Sequence, residues 1–359
     1  MKKRVLAILL MLIFLVTFFT GCGQTKEKQN KDTSDKINKY IDTLSKDKKF
    51  SGAILVSKKG EILTKKVVGM SNYELNVKND LSTKFAIGNM TNEFTAAAIL
   101  QIEDKGFINT EDSISKYIPN YPKGDSITVS ELLNHTSGIQ NFADFEDYNS
   151  VARLNYSLQK IIDSFKSKPL EFTPGSKYKY SDSNYILLGY IIEKVSGKKY
   201  GDYINDNILK PLKMNSTGVL ENEKLIKGRA VGYVLDDSSN IKNMLYQDPS
   251  RLFSSTGLYS TLEDLYLWDR ALYENKVLSK KASDKFLIME DGKKNNLCWE
   301  FDSLAGHKVA FQDNTIKGYS GSICRFTKDD STIIILSNIS MEKQEIDKIT
   351  SNISVYLFQ

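Results

Sequence analysis

The sequence predicts a mixed α/β fold of the α+β type, in which helices flank one antiparallel sheet built from both ends of the domain. Three observations predict it. Strand-like segments open the domain, helix-like segments fill its middle, and strands followed by one helix close it. With no internal repeat and no interdomain linker in the sequence, we expect one domain over residues 37–359, with a mostly helical inserted subdomain over about 107–290.

The first part of the domain combines two helices and a hairpin. Ile37–Leu44 has helical periodicity, and Ser51–Ser57 and Glu61–Val68 are typical of two strands joined by a Lys-Lys-Gly turn. The apolar spacing in Asn89–Asp104 predicts a buried helix that ends at Gly106.

The rest of the chain predicts helices first and strands afterwards. Helices are expected at Val129–Asn134, Leu158–Ser167, Tyr185–Val195, Tyr200–Ile208 and Thr261–Tyr273. Strands are expected at Leu297–Phe301, His307–Gln312, Ser322–Thr327 and Thr332–Ser337, with a closing helix at Lys343–Leu357.

Residues 1–21 have the pattern of a secretory signal peptide. Three basic residues precede the apolar run Val5–Phe19, which is shorter than the roughly 20 residues of a membrane-spanning helix. The small residues before Cys22 resemble the lipobox of bacterial lipoproteins, which implies that Cys22 carries membrane lipid. Residues 22–36 are polar and are expected to form a flexible tether. We therefore expect an extracytoplasmic protein anchored to a bacterial cell membrane; a plain signal peptide or an uncleaved anchor is the alternative.

Composition excludes several functional classes. The 359 residues include 49 basic and 44 acidic residues, and three of the basic ones lie in the leader, so the remainder has no basic footprint for nucleic acid. Only 2 histidines are present, which excludes a His-based zinc centre, and no glycine-rich phosphate loop is found. Neither a metal nor a cofactor is expected. Cys298 and Cys324 could be two buried thiols or one disulfide.

Six short motifs follow one another along the chain in an order that resembles a known family. They are Phe85–Gly88 with Phe94–Ala97, Leu132–Gly138, Pro174–Gly175, Tyr180–Tyr185 with Leu187–Gly189, Gly257–Thr261 and Gly318–Gly321. These motifs resemble serine β-lactamases and D-alanyl-D-alanine peptidases of the penicillin-recognising group, nearest to the class C-like branch that also contains esterases. The resemblance runs from about Gly52 to Ser337 and implies a β-lactamase/transpeptidase-like fold.

The catalytic motif Ser-x-x-Lys of that family falls on Asn89 and Asn92. A spacing of three places both side chains on one helix face, where the serine would attack a carbonyl and the lysine would move its proton. A carboxamide is neither a nucleophile nor a base at neutral pH. Loss of the nucleophile alone typically costs on the order of 10⁶ in kcat. The resemblance therefore implies a binding cleft with its chemistry removed.

The other two family motifs are also altered. Tyr-x-Asn falls on Tyr180 and Asp182, where the phenol is kept and a carboxylate replaces the amide. Lys/His-Ser/Thr-Gly is expected at Tyr319-Ser320-Gly321, where no cation is available for a ligand carboxylate, with the Ser322 N–H at the strand edge. The expected cleft therefore consists of Asn89, Tyr180, Asp182, Tyr319, Ser320, Gly321 and Ser322.

Three hypotheses about function follow. The first is an inactive pseudoenzyme that binds cell-wall peptide, a related ligand or a partner protein. The second is an active hydrolase of the esterase, peptidase or β-lactamase type with unconventional residues, for which Tyr180 or Ser320 would have to act. The third is a structural or immunity lipoprotein with a vestigial cleft.

Overall fold

The main sheet has seven antiparallel strands drawn from both ends of the domain, in the order β10-β11-β12-β13-β14-β1-β2. In the computed structural model, which describes residues 27–46, 50–287 and 295–359, β1 pairs with β14 on one side and β2 on the other. The strands of this sheet are β1 (Gly52–Lys58), β2 (Glu61–Val68), β10 (Asn295–Asn296), β11 (Trp299–Leu304), β12 (His307–Ile316), β13 (Tyr319–Phe326) and β14 (Ser331–Ser337).

Helices cover both faces of the sheet. The helices are α1 (27–46), α2 (Thr91–Asp104), α3 (Val129–Leu133), α4 (Tyr148–Val151), α5 (Leu158–Phe165), α6 (Asp182–Ser196), α7 (Tyr200–Ile204), α8 (Phe253–Thr256), α9 (Leu262–Tyr273), α10 (Lys280–Leu287) and α11 (Lys343–Phe358). Helices α1 and α11 lie on one face, and α2 and α9 lie on the other, with the helical subdomain beyond them. This arrangement confirms the predicted fold class.

The two faces of the sheet bury two separate apolar cores. Alternation along β1 sends Ala53 and Leu55 to the larger core and Ile54 and Val56 to the smaller one. Both sets are fully buried, which explains why this strand is apolar throughout. Helix α2 is buried over nearly its whole length and packs against α6 and α8 at the centre of the larger core.

Short strands that the sequence analysis does not predict lie between residues 70 and 260. A three-stranded sheet joins β5 (Phe85–Ala86), β9 (Leu258–Ser260) and β6 (Gly218–Val219), and two hairpins pair β3 (Met70–Asn72) with β4 (Val77–Lys78) and β7 (Tyr233–Leu235) with β8 (Ile241–Asn243). Segments of two or three residues are too short for a periodic signal. The small sheet matters because β5 leads directly to the start of α2.

The predicted signal peptide (1–21) and Cys22 lie outside the described residues. The prediction of a flexible tether over residues 22–36 is wrong for residues 27–36, because they belong to helix α1. Ser34 there bonds to the Leu63 carbonyl and the Thr64 hydroxyl, both at 2.8 Å, and Thr33 is buried. Thr33 and Ser34 therefore face the sheet, while most of the other residues of this segment are exposed on the outer side of α1.

Candidate functional site

The start of α2 carries the two asparagines that occupy the family's catalytic positions. A 3₁₀ turn, Gly88–Met90, precedes the helix. Gly88 has φ +45°, and a Cβ there would lie 1.9 Å from the Asn314 side-chain oxygen, so the turn requires glycine. Asn89 is half-buried in this turn, and Asn92 is fully buried one turn later.

A hydrogen-bonded chain leads from Asn92 to the start of α6. The Asn92 amide donates to the Tyr180 hydroxyl at 3.3 Å, and that hydroxyl donates to Asp182 Oδ1 at 2.8 Å. Ser255 also donates to Asp182 Oδ1, and the Asp182 backbone N–H donates to Asn141. The structure therefore brings together the predicted site residues Asn92, Tyr180 and Asp182.

Burial keeps the Tyr180 phenol of this hydrogen-bonded network uncharged and disfavours charge on the Asp182 carboxyl. Desolvation raises the pKa of Tyr180 well above its usual value, and the neighbouring Asp182 raises it further. Desolvation also raises the pKa of Asp182, against the lowering effect of its hydrogen bonds from Ser255 and Tyr180. Within the described segments, no lysine or arginine hydrogen bonds to Asn92, Tyr180 or Asp182.

His135 lies beside this hydrogen-bonded network, and its imidazole ring is neutral and held in one tautomer. Its backbone is left-handed, with φ 55°, and its ring is 4.5 Å from the Tyr180 ring and 5.0 Å from the Tyr185 ring, between centroids. Burial lowers the pKa of His135 to about 3. The Ser181 backbone N–H donates to His135 Nδ1 at 3.2 Å, so the proton of the neutral ring is on Nε2. Its Nδ1 is therefore occupied and cannot accept a proton from a nucleophile.

Strand β12 forms the sheet side of the site. The Gln312 side chain donates to the Asn89 carbonyl at 3.3 Å, and the Asn314 side chain donates to the Ala86 carbonyl at 3.1 Å. Between them, Asp313 is ion-paired with Lys343 at the start of α11. These bonds tie the end of β12 to the turn that precedes α2.

Together these elements enclose a cleft of about 310 Å³. Its walls include Asn89, Tyr178, Tyr180, Glu300, Asp313 and Lys343. Its volume is at the lower end of what small-molecule sites enclose.

The expected placement of Tyr319 and Ser320 in this cleft is wrong. The Tyr319 hydroxyl donates to the Ala230 carbonyl at 2.7 Å, and the ring lines a separate cavity of about 520 Å³ beside Met244. Ser320 points to the opposite face of the sheet, where its hydroxyl accepts the Met341 N–H at 2.7 Å. Alternation along β13 separates the two side chains, and neither contacts Asn89.

Gly321 and Ser322 are likewise inside the sheet and not in the cleft. A Cβ on Gly321 would lie 2.3 Å from the Ile335 carbonyl oxygen, and Ser322 pairs with Asp313 on one side and Ile335 on the other. Strand β12, and not β13, contributes side chains to the cleft. The position of the third family motif in the cleft is therefore on β12. Gln312 and Asp313 occupy that place. The sequence analysis missed them because it assigned the third motif to Tyr319-Ser320-Gly321.

The two cysteines of the domain are free and buried. Cys298 lines the cleft, and burial raises the pKa of its thiol well above the usual value. Cys324 lies in the smaller core behind the sheet, so the alternative of a disulfide between them is not realised.

Among the described helices, none combines the length and apolar character needed to cross a membrane. Within the same residues, no group of three or more His, Cys, Asp or Glu side chains is arranged to hold a metal ion.

Comparison with known proteins connects this geometry to a family. The family model described as Beta-lactamase matches residues 37–352. The chain is 29% identical over 328 residues to PbpX of Bacillus subtilis (strain 168), which is named as a penicillin-binding protein; the match covers 91% of this chain and 79% of PbpX. It is 29% identical over 327 residues to the protein Flp of Staphylococcus aureus (strain MRSA252), covering 87% of this chain but only 64% of Flp.

A solved structure agrees with this result. The crystal structure of a penicillin-binding protein from Bacillus halodurans superimposes with a TM-score of 0.79 at 25% sequence identity, covering 89% of this chain and 99% of that one. The similarity therefore extends over most of this chain and nearly all of the other one.

Proposed function

The chain belongs to the beta-lactamase family of penicillin-recognising serine hydrolases, and from this premise we propose that it is a non-catalytic member whose cleft binds a ligand of the cell wall without cleaving it. It has the fold and the cleft of a hydrolase. Its function is then to hold a ligand, or to present the bound complex to a partner protein.

One observation carries this proposal. Asn92 occupies the position of the proton-transferring lysine, and its amide donates to the Tyr180 hydroxyl at 3.3 Å. A lysine there would pair with Asp182 and lower the barrier to deprotonating a nucleophile. The carboxamide preserves a hydrogen bond but supplies neither charge nor base, and Asn89 supplies no nucleophile.

The other candidate nucleophiles are poorly suited to replace the serine. Tyr180 would have to react as a phenolate, and its pKa is raised. Ser320 lies behind the sheet. Cys298 lines the cleft, but its pKa is raised and the Nδ1 of the nearby His135 already accepts a backbone N–H. These positions argue against an active hydrolase with unconventional machinery.

The open cleft argues against a purely vestigial site. In a collapsed site, an aromatic such as Tyr319 would lie over Asn89, but this ring lines the other cavity. A volume of about 310 Å³, with both polar and apolar side chains in its walls, is retained.

The leader and Cys22 support a location outside the cytoplasm, with lipid on Cys22 and α1 leading into the domain. In cell fractionation, the full chain should then sediment with membranes, whereas a Cys22→Ala variant should not.

The proposal is tested by reaction with a fluorescent penicillin, followed by intact-protein mass spectrometry. The full chain should form no covalent adduct. The double variant Asn89→Ser with Asn92→Lys should form a stoichiometric acyl adduct on residue 89. Since general-base catalysis contributes about 10²–10⁴-fold, it should acylate at least about 10²-fold faster than Asn89→Ser alone.

The single variants Asn89→Ser and Asn92→Lys are the matched controls, because each restores one half of the motif. A Cys298→Ser variant identifies any adduct that arises from the cleft thiol. A stoichiometric adduct on the unmodified chain, at any residue, would contradict the proposal.

A further inference from the structure

The charged side chains of the cleft are paired with one another. Glu300, Asp313 and Lys343 line it. Lys343 is ion-paired with Asp313, and its Nζ lies 3.6 Å from Glu300 Oε2. A ligand carboxylate would have to displace Asp313 from Lys343, and a ligand ammonium would have to displace Lys343 from the two carboxylates. The charged lining residues that the structure describes therefore offer no free partner to a charged ligand.

The imidazole of His135 presents a neutral donor to the cleft. The Tyr180 and Tyr185 rings pack at 36° and 28° to it and so lie against its faces, and its Nδ1 accepts the Ser181 N–H. The edge that remains for the cleft, which His135 lines, carries Nε2–H. His135 is only 2% exposed, and no described residue accepts this N–H. A nearly buried donor without a partner favours a ligand with an acceptor.

Other neutral lining groups are also unpaired. Among the described residues, the Tyr178 hydroxyl and the Asn89 carboxamide have no hydrogen-bond partner. Gln312 donates its amide to the Asn89 backbone carbonyl, which leaves the Gln312 side-chain oxygen free to accept from a ligand. The cleft therefore offers at least one donor and at least one acceptor, all of them uncharged.

Tyr178 adds an aromatic surface to these groups. It is 45% exposed, and the His135 ring packs against it at 82° with the centroids 6.1 Å apart, which restricts its orientation. Desolvation raises the pKa of Tyr178 to about 12, so the hydroxyl stays neutral. An exposed aromatic face beside unpaired neutral groups suits a ligand that is apolar on one face and polar at its edge.

Hydroxyl groups match this set of partners. A hydroxyl accepts from a donor such as His135 Nε2–H and donates to an acceptor such as the Gln312 oxygen, and it can do either with the Asn89 carboxamide. A pyranose ring carries hydroxyls around its edge and C–H groups on its faces. It therefore combines the apolar face that suits Tyr178 with the neutral donors and acceptors that suit the other lining groups.

We propose that the cleft binds one neutral pyranose ring, with a face of the sugar against Tyr178 and its hydroxyls hydrogen-bonded to His135, Asn89 and Gln312. This inference rests on the proposed function, since it names the class of cell-wall ligand that the non-catalytic cleft holds. The volume of about 310 Å³ suits a single sugar ring. A peptide that ends in a carboxylate is disfavoured, because Lys343 is already paired.

Four probes separate the ring, the charge and the class of ligand. Methyl β-D-glucopyranoside is a neutral pyranose, methyl β-D-glucuronide adds a carboxylate, D-glucitol has hydroxyls without a ring, and D-alanyl-D-alanine is a peptide. Ligand-detected NMR titration of the purified full chain at pH 7, in a detergent without a sugar head group, should give the lowest Kd for the glucopyranoside. D-Glucitol should bind at least about fivefold more weakly, the lower end of the loss seen when a planar ring loses its aromatic stacking partner.

Variants of Tyr178 test the stacking directly. Tyr178→Ala should raise the Kd of the glucopyranoside at least about fivefold and change that of D-glucitol much less, a difference that a merely structural role would not produce. Tyr178→Phe keeps the ring and should lose less affinity than Tyr178→Ala. Tyr246→Ala is the matched control, because Tyr246 is 54% exposed and lines the separate cavity beside Met244. It should leave every Kd unchanged.

The outcomes separate this inference from the proposed function. If D-alanyl-D-alanine or the glucuronide binds as tightly as the glucopyranoside, or if Tyr178→Ala leaves the Kd of the glucopyranoside unchanged, the sugar assignment is overturned. Absence of glucopyranoside binding at high millimolar concentration overturns it too. The non-catalytic assignment is decided by the penicillin reaction: an acyl adduct on the unmodified chain would refute that assignment even if the sugar binds.

Discussion

Two adjacent residues of α2, Asn92 and Glu93, face two polar clusters that differ in how their charges are compensated. Asn92 belongs to the cleft network, defined as Asn92, Tyr180, Asp182 and Ser255. Glu93 belongs to the core cluster, defined as Glu93, Trp268, Asp269, Arg325 and Thr332. Both clusters are withdrawn from solvent, and only the core cluster contains a hydrogen-bonded cation among the described residues.

The core cluster has a fully buried ion pair. Arg325 Nε donates to Asp269 Oδ1 at 2.7 Å, and the Thr332 hydroxyl donates to Asp269 Oδ2 at 2.7 Å. Burial raises the pKa of Asp269, and the Arg325 guanidinium limits the rise. In the cleft network, the described side chains that donate to Asp182 are neutral.

The difference indicates which charges the fold depends on. A buried pair that loses one partner leaves an uncompensated charge at large cost, so Asp269 and Arg325 each depend on the other. The cleft network replaces a lysine by a carboxamide that still hydrogen bonds, and the helices around it are intact. Under the proposed function, the charge that is absent from the cleft is one that the reaction requires and the fold does not.

The largest effect is expected for Asp269→Asn. It leaves the Arg325 guanidinium buried without a counter-charge, and removal of one partner of a buried pair typically costs about 3–5 kcal/mol. Urea denaturation followed by circular dichroism measures the loss. The double variant Asp269→Asn with Arg325→Met should recover part of it, because the unpaired charge is then removed. A loss below about 1 kcal/mol for the single variant would mean that the core cluster does not depend on its ion pair.

A pH-dependent effect on stability is expected at Glu93. Its carboxyl is fully buried; one oxygen accepts from the Trp268 indole at 2.6 Å, and the other has no hydrogen-bond partner in the described part of the chain. Desolvation raises the pKa of Glu93 to about 8, from the usual 4.5. The folded chain therefore holds a proton that the unfolded chain releases between these two values.

The sign follows from proton linkage. Because the folded state binds the extra proton, this group's contribution is fully present below pH 4.5 and is lost as the pH rises to about 8, by at most about 1.4 kcal/mol per pH unit. Glu93→Gln should lack this decline, and its stability relative to the original chain should therefore improve up to about pH 8 and then level. Urea denaturation of both chains from pH 5 to 9 provides the difference curve. A difference that does not change with pH would show that Glu93 is ionised in the folded chain.

Sequence patterns predicted the long elements because burial repeats along them. The apolar run of β1 and the spacing in α2 specify their type and most of their bounds, and Glu61–Val68 was predicted with both ends correct. The short strands β5, β6 and β9 were missed, since two or three residues carry no period and are formed by pairing across the chain.

The candidate site was predictable only where its residues follow a helix start. Asn89, Asn92, Tyr180 and Asp182 lie at the beginnings of α2 and α6, where motif spacing translates directly into position. The sheet wall was not predictable in this way. Asp313 is a poor strand former that pairing with β13 holds in β12, and Lys343 comes from a helix thirty residues later.

The smallest effect is expected for Asp182→Asn, which makes the same chemical change as Asp269→Asn at the other cluster. Among the described residues, the Asp182 side chain accepts hydrogen bonds only from Ser255 and Tyr180, so no cation there is left unpaired. An asparagine oxygen can accept both bonds. The variant loses the favourable interaction of a negative charge with the N-terminus of α6. Removal of a buried charge, which is itself unfavourable, offsets part of this loss of stability. We therefore expect a change within about 1 kcal/mol at pH 7. The pKa of Asp182 in the folded chain is raised above the usual 3.8. The contribution of Asp182 to the free energy of unfolding is therefore lost as the pH rises through the pKa of the folded chain. The free energy of unfolding of the asparagine variant should not change with pH for this reason. Urea denaturation at pH 4 to 8 compares the two, and a loss as large as that of Asp269→Asn would mean that a cation compensates the cleft network after all.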